Sequence, residues 1–202
     1  MTCKNGEYCS IAIDGPAGAG KSTIAKKVAE KLAYEYIDTG AMYRALTLKI
    51  LDLEINPTDT SKVLEVLSNT KIDFQNNNIY LDSKDVNKRI RENKISQNVS
   101  YIAAIPEVRN KMLILQQNLA NSKNIVMDGR DICTVVLPNS KYKFFITASA
   151  NIRAKRRYEE LSEDDKRNTS VEEIEREIIK RDEIDNFDNV LLNAYTLNEF
   201  QT

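Results

Sequence analysis

Histidine and tryptophan are absent from this chain of 202 residues. Because a Ser-His-Asp triad and a Cys-His pair each need an imidazole, those routes of nucleophilic catalysis are excluded. The three cysteines, Cys3, Cys9 and Cys133, do not have the spacing of metal ligands, and no histidine can complete a zinc site with them. We therefore expect reduced thiols in a cytoplasmic protein whose chemistry relies on carboxylates, lysine, arginine, hydroxyl groups and metal.

An excess of one charge is also missing, since 29 basic residues face 30 acidic ones and the net charge is −1. That balance gives no general attraction to nucleic acid or to a membrane surface, so any anion must be bound by a local cluster. No stretch approaches the eighteen or so apolar residues of a membrane-spanning helix. We expect one α/β domain with a modest insertion, acting as a monomer without a nucleic acid or membrane partner.

Short apolar runs alternate with amphipathic stretches along most of the chain. The runs at 10–14, 34–38, 125–128 and 142–147 are predicted strands, and the alternation predicts a parallel, doubly wound sheet. Residues 71–94 differ, because Asn76-Asn77-Asn78 turns the chain between two apolar segments and predicts an inserted hairpin. Helix starts are predicted at Thr60 or Ser61, at Pro106, at Asn151 and at a Ser170–Glu173 capping box.

The segment GPAGAGKS, residues 15–22, is the strongest motif of the chain. It satisfies G-x-x-x-x-G-K-[ST], with an apolar strand before it and an amphipathic helix after it. Its glycines let successive N–H groups point at phosphate oxygens, and the helix adds the positive end of its dipole. Lys21 then reaches the β- and γ-phosphates of ATP, and the Ser22 hydroxyl is placed to ligate Mg²⁺. The competing interpretation is a plain glycine-rich turn.

Three predicted strands end in aspartate, at Asp14, Asp38 and Asp128. Since the carboxyl ends of parallel strands line the ligand crevice of such a sheet, these carboxylates could hold Mg²⁺ or its waters, or accept from substrate hydroxyls. Each could equally cap the turn that follows it, a role that aspartate fills well. Together they favour a metal–phosphate site, with Asp128 as the best candidate for a carboxylate behind the magnesium ion.

Two short motifs suit an acceptor substrate. Thr39, Gly40 and Arg44 follow the second strand and offer a hydroxyl, a tight turn and a guanidinium suited to phosphate. The segment Asp128-Gly129-Arg130-Asp131 repeats the pattern with a carboxylate that can accept from an amino group. A helix cap beside a surface arginine is the rival interpretation of each motif.

These motifs together resemble the bacterial cytidylate kinases from about residue 10 to about residue 185. The resemblance rests on GPAGAGKST, YIDTGAMYRA, VSYIAAIPEVR, DGRDICTVV and RAKRRYEEL. It implies a P-loop NTPase three-layer sandwich with a mostly parallel five-stranded sheet, in which 8–55, 105–150 and 170–202 form the core. It further implies a small α+β acceptor-binding insert over 56–104 and a short helical lid over 151–169. The implied reaction is the Mg²⁺-dependent transfer of a phosphoryl group from ATP to CMP or dCMP.

The resemblance also implies roles for individual residues. The residues assigned to ATP are Gly15, Pro16, Ala17, Gly18, Ala19, Gly20, Lys21, Ser22, Thr23 and Arg157, with Ser22 on the metal. Those assigned to the acceptor nucleotide are Thr39, Arg44, Ser100, Arg109, Arg130, Asp131, Arg181 and Asp185. Those assigned to catalysis are Lys21, Asp128, Arg130, Arg157 and Arg181. Asp131 and Ser100 suit cytosine, whose exocyclic amine needs an acceptor.

Arg153 and Arg157 lie four residues apart and therefore share one face of a basic helix. We expect a lid that closes over the triphosphate, although a solvated basic face is the usual explanation of such a cluster. The chain departs from the family pattern at Asp188, where an arginine is expected, at Cys133 and at Ala17. Two alternatives follow, a nucleotide-binding protein with weak or no kinase activity and a kinase for another pyrimidine monophosphate.

Overall fold

The computed structural model describes residues 8–161, 163–167, 169–185 and 195–196. The chain divides into two compact units, one made of residues 9–34 and the chain from residue 126 onward, the other of residues 35–125. Asp188 lies outside the described residues, and Arg181 and Asp185 are described only as backbone positions of a helix. The expected division into core, insert and lid stays a prediction.

Strand β1 (Ser10–Asp14) and strand β7 (Tyr142–Phe145) pair in parallel in the first unit. The larger sheet has the order β2-β6-β1-β7-β8, where β2 is Glu35–Asp38, β6 is Ile125–Asp128 and β8 is Tyr195–Thr196. The five strands and the parallel pairing confirm the predicted α/β sheet. β1 and β6 are almost wholly buried because their apolar side chains fill both faces, which is typical of parallel strands.

The helices of the first unit are α1 (Lys21–Leu32), α6 (Ala150–Glu159), α7 (Glu163–Arg167) and α8 (Val171–Asp185). A single π-helical turn covers Ile132–Val136. The capping box of α8 is confirmed, since the Ser170 N–H donates to the Glu173 carboxylate at 3.1 Å and the Glu173 N–H donates to Ser170 Oγ at 3.2 Å. Ala154, Ile174 and Ile178 form the apolar contact between α6 and α8.

The predicted cap of α6 is wrong. Ser149 is the N-cap, with its Oγ accepting from the Ile152 N–H at 3.3 Å. Asn151 lies inside the helix and donates instead to Glu175 of α8 at 3.0 Å. Helix α6 thus begins before the asparagine, and a polar residue two positions earlier takes the role.

The second unit contains α2 (Thr39–Asp52), α3 (Thr60–Ser68), α4 (Asn93–Ala103) and α5 (Pro106–Ser122). Its small antiparallel sheet, β3 (Ile72–Gln75), β4 (Asn78–Leu81) and β5 (Lys84–Asp85), contains the predicted hairpin, and Arg89–Arg91 forms a 3₁₀ turn. Pro106 is the first residue of α5, as predicted. Asp59, rather than Thr60 or Ser61, caps α3 by accepting from the Lys62 N–H at 3.2 Å.

The cysteines differ from the expectation of three reduced thiols. Cys9 is disulfide-bonded, so the expectation is wrong for this residue, whereas Cys133 is a free and buried thiol. None of the helices in the described part of the chain has both the length and the apolar character needed to cross a lipid bilayer.

Candidate nucleotide-binding site

The glycine-rich loop joins β1 directly to α1. Gly15, Gly18 and Gly20 have φ values of 144°, 77° and 94°, which residues other than glycine rarely adopt. Position 15 also has no room for a side chain, because a Cβ on Gly15 would lie 1.9 Å from the carbonyl oxygen of Ile146. Gly20 is the N-cap of α1, and the helix opens with Lys21-Ser22-Thr23, so no acidic residue competes for an anion at its first turn. The loop thus offers backbone N–H groups to a phosphate.

Lys21 lies across this loop. Its Nζ donates to the carbonyl oxygen of Pro16 at 2.9 Å. The ammonium group is therefore held over the segment that the motif assigns to the phosphates, rather than extended into solvent.

The hydroxyl of Ser22 faces the carboxylate of Asp128. Ser22 Oγ donates to Asp128 Oδ2 at 3.0 Å, and Asp128 is only 4% exposed at the end of β6. A hydroxyl and a carboxylate are hard oxygen donors of the kind that Mg²⁺ prefers, and Mg²⁺ usually takes only one or two groups from the protein. The described residues contain no group of three or more Cys, Asp or Glu residues that could hold a metal ion.

Asp14 does not join that pair. It is fully buried, and its two carboxylate oxygens accept from the backbone N–H groups of Ile132 at 2.9 Å and Cys133 at 2.7 Å. Burial raises the pKa of Asp14 above its ordinary value, and the two backbone hydrogen bonds oppose that rise. Asp14 therefore matches neither interpretation, because its carboxylate holds the turn after Asp131, which is distant in sequence, instead of a metal ion or the turn that follows Asp14 itself.

Gly129, Arg130 and Asp131 follow Asp128 in the first unit. The Gly129 N–H donates to the carbonyl oxygen of Ile13 at 2.9 Å, which fixes the start of this segment against β1. The Asp131 carbonyl oxygen accepts from the Val135 and Val136 N–H groups at 2.9 and 3.1 Å. Arg130 and Asp131 themselves are half-buried. Arg130 and Asp131 therefore lie two and three residues beyond Asp128, just after the end of β6.

The acceptor motif of the second unit is built around Asp38. Its carboxylate accepts from the Ala41 N–H at 2.9 Å as the N-cap of α2, and from Arg44 Nη2 at 2.9 Å. Arg44 Nε is buried and has no hydrogen-bond acceptor among the described residues. Thr39 is buried at the start of the helix. Two further predicted residues of this unit, Ser100 on α4 and Arg109 on α5, are exposed.

Gly40 does not make the tight turn that the sequence suggested. It lies in the first turn of α2. A Cβ at this position would lie 3.2 Å from Asp38 Oδ1 and 3.3 Å from Arg44 Nη1. The glycine thus leaves room for the Asp38–Arg44 ion pair.

The two lid arginines differ from each other in the structure. Arg157 is exposed, with Nη1 3.7 Å from a carboxylate oxygen of Glu177. Arg153 is 3% exposed and is bonded to α8 and to the glycine-rich loop. The expectation that both present one basic face to a triphosphate therefore fails for Arg153, because its donors are engaged inside the protein.

The glycine-rich loop, the lysine over it and the Ser–Asp pair define the class of P-loop proteins that bind nucleoside triphosphates. The comparisons with known proteins narrow this class. The family model of cytidylate kinase matches residues 11–191. The chain is 52% identical over 177 residues to a cytidylate kinase of Caldanaerobacter subterraneus subsp. tengcongensis, covering 87% of this chain and 78% of the relative.

Further relatives give the same result. Cytidylate kinases of Clostridioides difficile and Clostridium botulinum are 50% and 52% identical, each covering 87% of this chain and 81% of the relative. This chain belongs to the cytidylate kinase family.

Proposed function

We propose that this protein transfers the γ-phosphoryl group of ATP to CMP and to dCMP. An oxygen of the CMP phosphate attacks the γ-phosphorus, and the bond between the γ-phosphorus and the β-γ bridging oxygen breaks. The products are CDP and ADP. The observation that carries the proposal is the Ser22–Asp128 contact of 3.0 Å directly after the phosphate-loop lysine, in a chain of this family.

The donor side is built from the glycine-rich loop. Its backbone N–H groups and the first turn of α1 bind the phosphates, and Lys21 exchanges its bond to the Pro16 carbonyl for the β- and γ-phosphate oxygens. Ser22 and Asp128 would hold Mg²⁺, which supplies positive charge to the transferring phosphoryl group when bound. Since phosphoryl transfer needs mostly positioning and neutralisation of negative charge, no general base is required of the chain.

The acceptor is proposed to use residues that the resemblance assigned. Arg44 is the candidate of the second unit for the CMP phosphate, and its unsatisfied Nε supports a role in anion binding. Arg130 is proposed to contact the CMP phosphate, and Asp131 and Ser100 are proposed to recognise the exocyclic amine of cytosine. The remaining proposed contacts are Thr39, Arg109, Arg181 and Asp185 on the acceptor, with Arg157 and Arg181 on the transferring phosphate.

An assay coupled to ADP release tests the proposal, with CMP, dCMP, UMP and AMP offered separately. We expect turnover with CMP and dCMP and at most weak turnover with the other two. Turnover with none of the four would support a nucleotide-binding protein without kinase activity. A preference for UMP would remove the proposed role of Asp131.

Lys21→Ala is expected to lower kcat by about a thousandfold or more, since the residue contacts the reacting phosphates. Lys27→Ala is the matched control, because Lys27 is an exposed lysine on the same helix. Near-full activity of Lys21→Ala would show that the phosphate loop is misassigned.

We also propose that the protein works as a monomer in the cytoplasm, where ATP and CMP are available. Size-exclusion chromatography with light scattering tests the monomeric state.

A further inference from the structure

Arg153 is a buried cation at the beginning of α6. Its Nε donates to the Ala148 carbonyl at 2.8 Å, and its Nη1 donates to the Ala17 carbonyl at 3.2 Å. The same guanidinium makes a two-pronged ion pair with Asp182 of α8, where Nη1 lies 3.1 Å from Oδ1 and Nη2 contacts Oδ2. The Arg153 side chain therefore connects three parts of the protein: the phosphate loop, the segment just before α6, and helix α8.

The contact with the loop is close along the backbone as well. A Cβ placed on Gly18 would lie 3.3 Å from the Cβ of Arg153, so the loop packs directly on this arginine. A trans peptide is planar, and its carbonyl and N–H point in opposite directions. Because Arg153 holds the Ala17 carbonyl on its own side, it turns the Gly18 N–H to the opposite side of the loop.

The pair with Asp182 places a second part of the site under the same constraint. Asp182 follows Arg181 directly in α8, and Arg181 is a proposed ligand of the transferring phosphate. The guanidinium fork of arginine suits this task, because it binds a carboxylate with two parallel N–H groups and still has donors for carbonyl oxygens.

We infer that Arg153 is a positioning residue for phosphoryl transfer, which together with Asp182 fixes the Ala17–Gly18 peptide for the donor phosphates and holds α8 beside it. This inference rests on the proposed function. It assigns Arg153 no contact with ATP, in contrast to the expectation of a basic lid face. Its consequence is a defect that falls mainly on the donor nucleotide and on kcat, and that reaches CMP only through Arg181 and Asp185 of α8.

The deciding variants separate this role from a contribution to folding. Removing one partner of a buried pair leaves an uncompensated charge, whereas apolar replacement of both is often tolerated. The double variant Arg153→Met with Asp182→Leu is therefore expected to fold, but without the bond to the Ala17 carbonyl. Arg153→Lys keeps the charge beside Asp182, but one ammonium group cannot span all three acceptors. Glu175→Gln is the control, because Glu175 links the same two helices by an exposed bond to Asn151.

Titration with ADP, CMP titration without donor, steady-state kinetics and thermal melting are measured for each variant. For the double variant and for Arg153→Lys we expect the ADP Kd and the KM for ATP to rise about tenfold, as for the loss of one charge-assisted hydrogen bond. We expect kcat to fall and the CMP Kd to rise less than the ADP Kd, since the Ala17 contact lies in the donor loop and CMP is reached only through Arg181 and Asp185 of α8. Glu175→Gln is expected to match the wild type.

Unchanged ADP affinity in a folded variant overturns the inference, and so does an equal loss of ADP and CMP affinity. If the double variant does not fold, Arg153→Lys decides by the same criteria. If the wild-type protein phosphorylates none of the offered monophosphates, the proposed function fails, but the ADP titrations still decide whether Arg153 positions the loop.

Discussion

Replacing Gly15 with alanine tests the geometry of the phosphate loop. Gly15 has a φ of 144°, so any other residue carries backbone strain there, of roughly 1–3 kcal/mol. The added Cβ would in addition lie 1.9 Å from the Ile146 carbonyl oxygen, which is far inside van der Waals contact. The neighbouring backbone cannot retreat freely, because the Ile146 N–H donates to the Asp14 carbonyl oxygen at 2.8 Å.

The magnitude follows from these contacts. Relief of the overlap must move the end of β7 away from β1, and each backbone hydrogen bond lost costs about 0.5–1.5 kcal/mol. Together with the strain we expect Gly15→Ala to lower the free energy of unfolding by about 3 kcal/mol or more, a large share of the roughly 5–15 kcal/mol that stabilises a domain. ADP affinity should fall with it, because the distortion begins at the loop.

Gly20→Ala is the matched comparison. Gly20 also has a positive φ, of 94°, but a Cβ there would meet only Arg156 Nη1 at 3.7 Å. Gly20→Ala should therefore lower the free energy of unfolding only by the backbone strain, which is about 1–3 kcal/mol. Urea unfolding followed by circular dichroism gives both values. Equal losses for the two variants, or a loss for Gly15→Ala below that for Gly20→Ala, would refute the argument from overlap.

Further predictions concern the metal pair, the buried aspartate and the buried thiol. Ser22→Ala and Asp128→Asn should each raise the Mg²⁺ concentration for half-maximal activity by about tenfold or more, and an unchanged Mg²⁺ dependence would contradict the assignment of the pair. Burial raises the pKa of Asp14, so the folded state favours the protonated carboxyl group. The contribution of this group to stability is fully present below its ordinary pKa and is lost as pH rises through the raised pKa. The unfolding free energy of the wild type relative to Asp14→Asn should therefore fall with rising pH above about 4, and a difference that grows with pH would contradict it. Burial also raises the pKa of the Cys133 thiol, so it should resist iodoacetamide at pH 8 in the native protein and react in urea, as followed by mass spectrometry.

Patterns carried by consecutive residues predicted the structure well. β1 at Ser10–Asp14 and β6 at Ile125–Asp128 have the expected bounds, because each is an apolar run that a strand at the centre of a parallel sheet must bury. Pro106 opens α5 because its fixed φ and missing N–H suit the first helical position.

Features that depend on distant partners could not be read from the sequence. The spacing of four residues places Arg153 and Arg157 on the same helix face. Only Arg153, however, contacts Asp182, which lies 29 residues further along the chain. Caps failed for a related reason, since Ser149 and Asn151 are both good N-caps and the choice depends on where the backbone leaves β7.

The three aspartates at strand ends show what decides between a structural and a chemical role. Their local sequences are alike, but Asp14 meets two backbone N–H groups, whereas Asp38 meets the Ala41 N–H and Arg44. Only Asp128 is shown to face a hydroxyl that follows the phosphate-loop lysine, which is the arrangement on which the proposed magnesium site rests. A strand-end aspartate therefore supports the proposal of a metal site only when the glycine motif independently supplies its partner, as Ser22 does here.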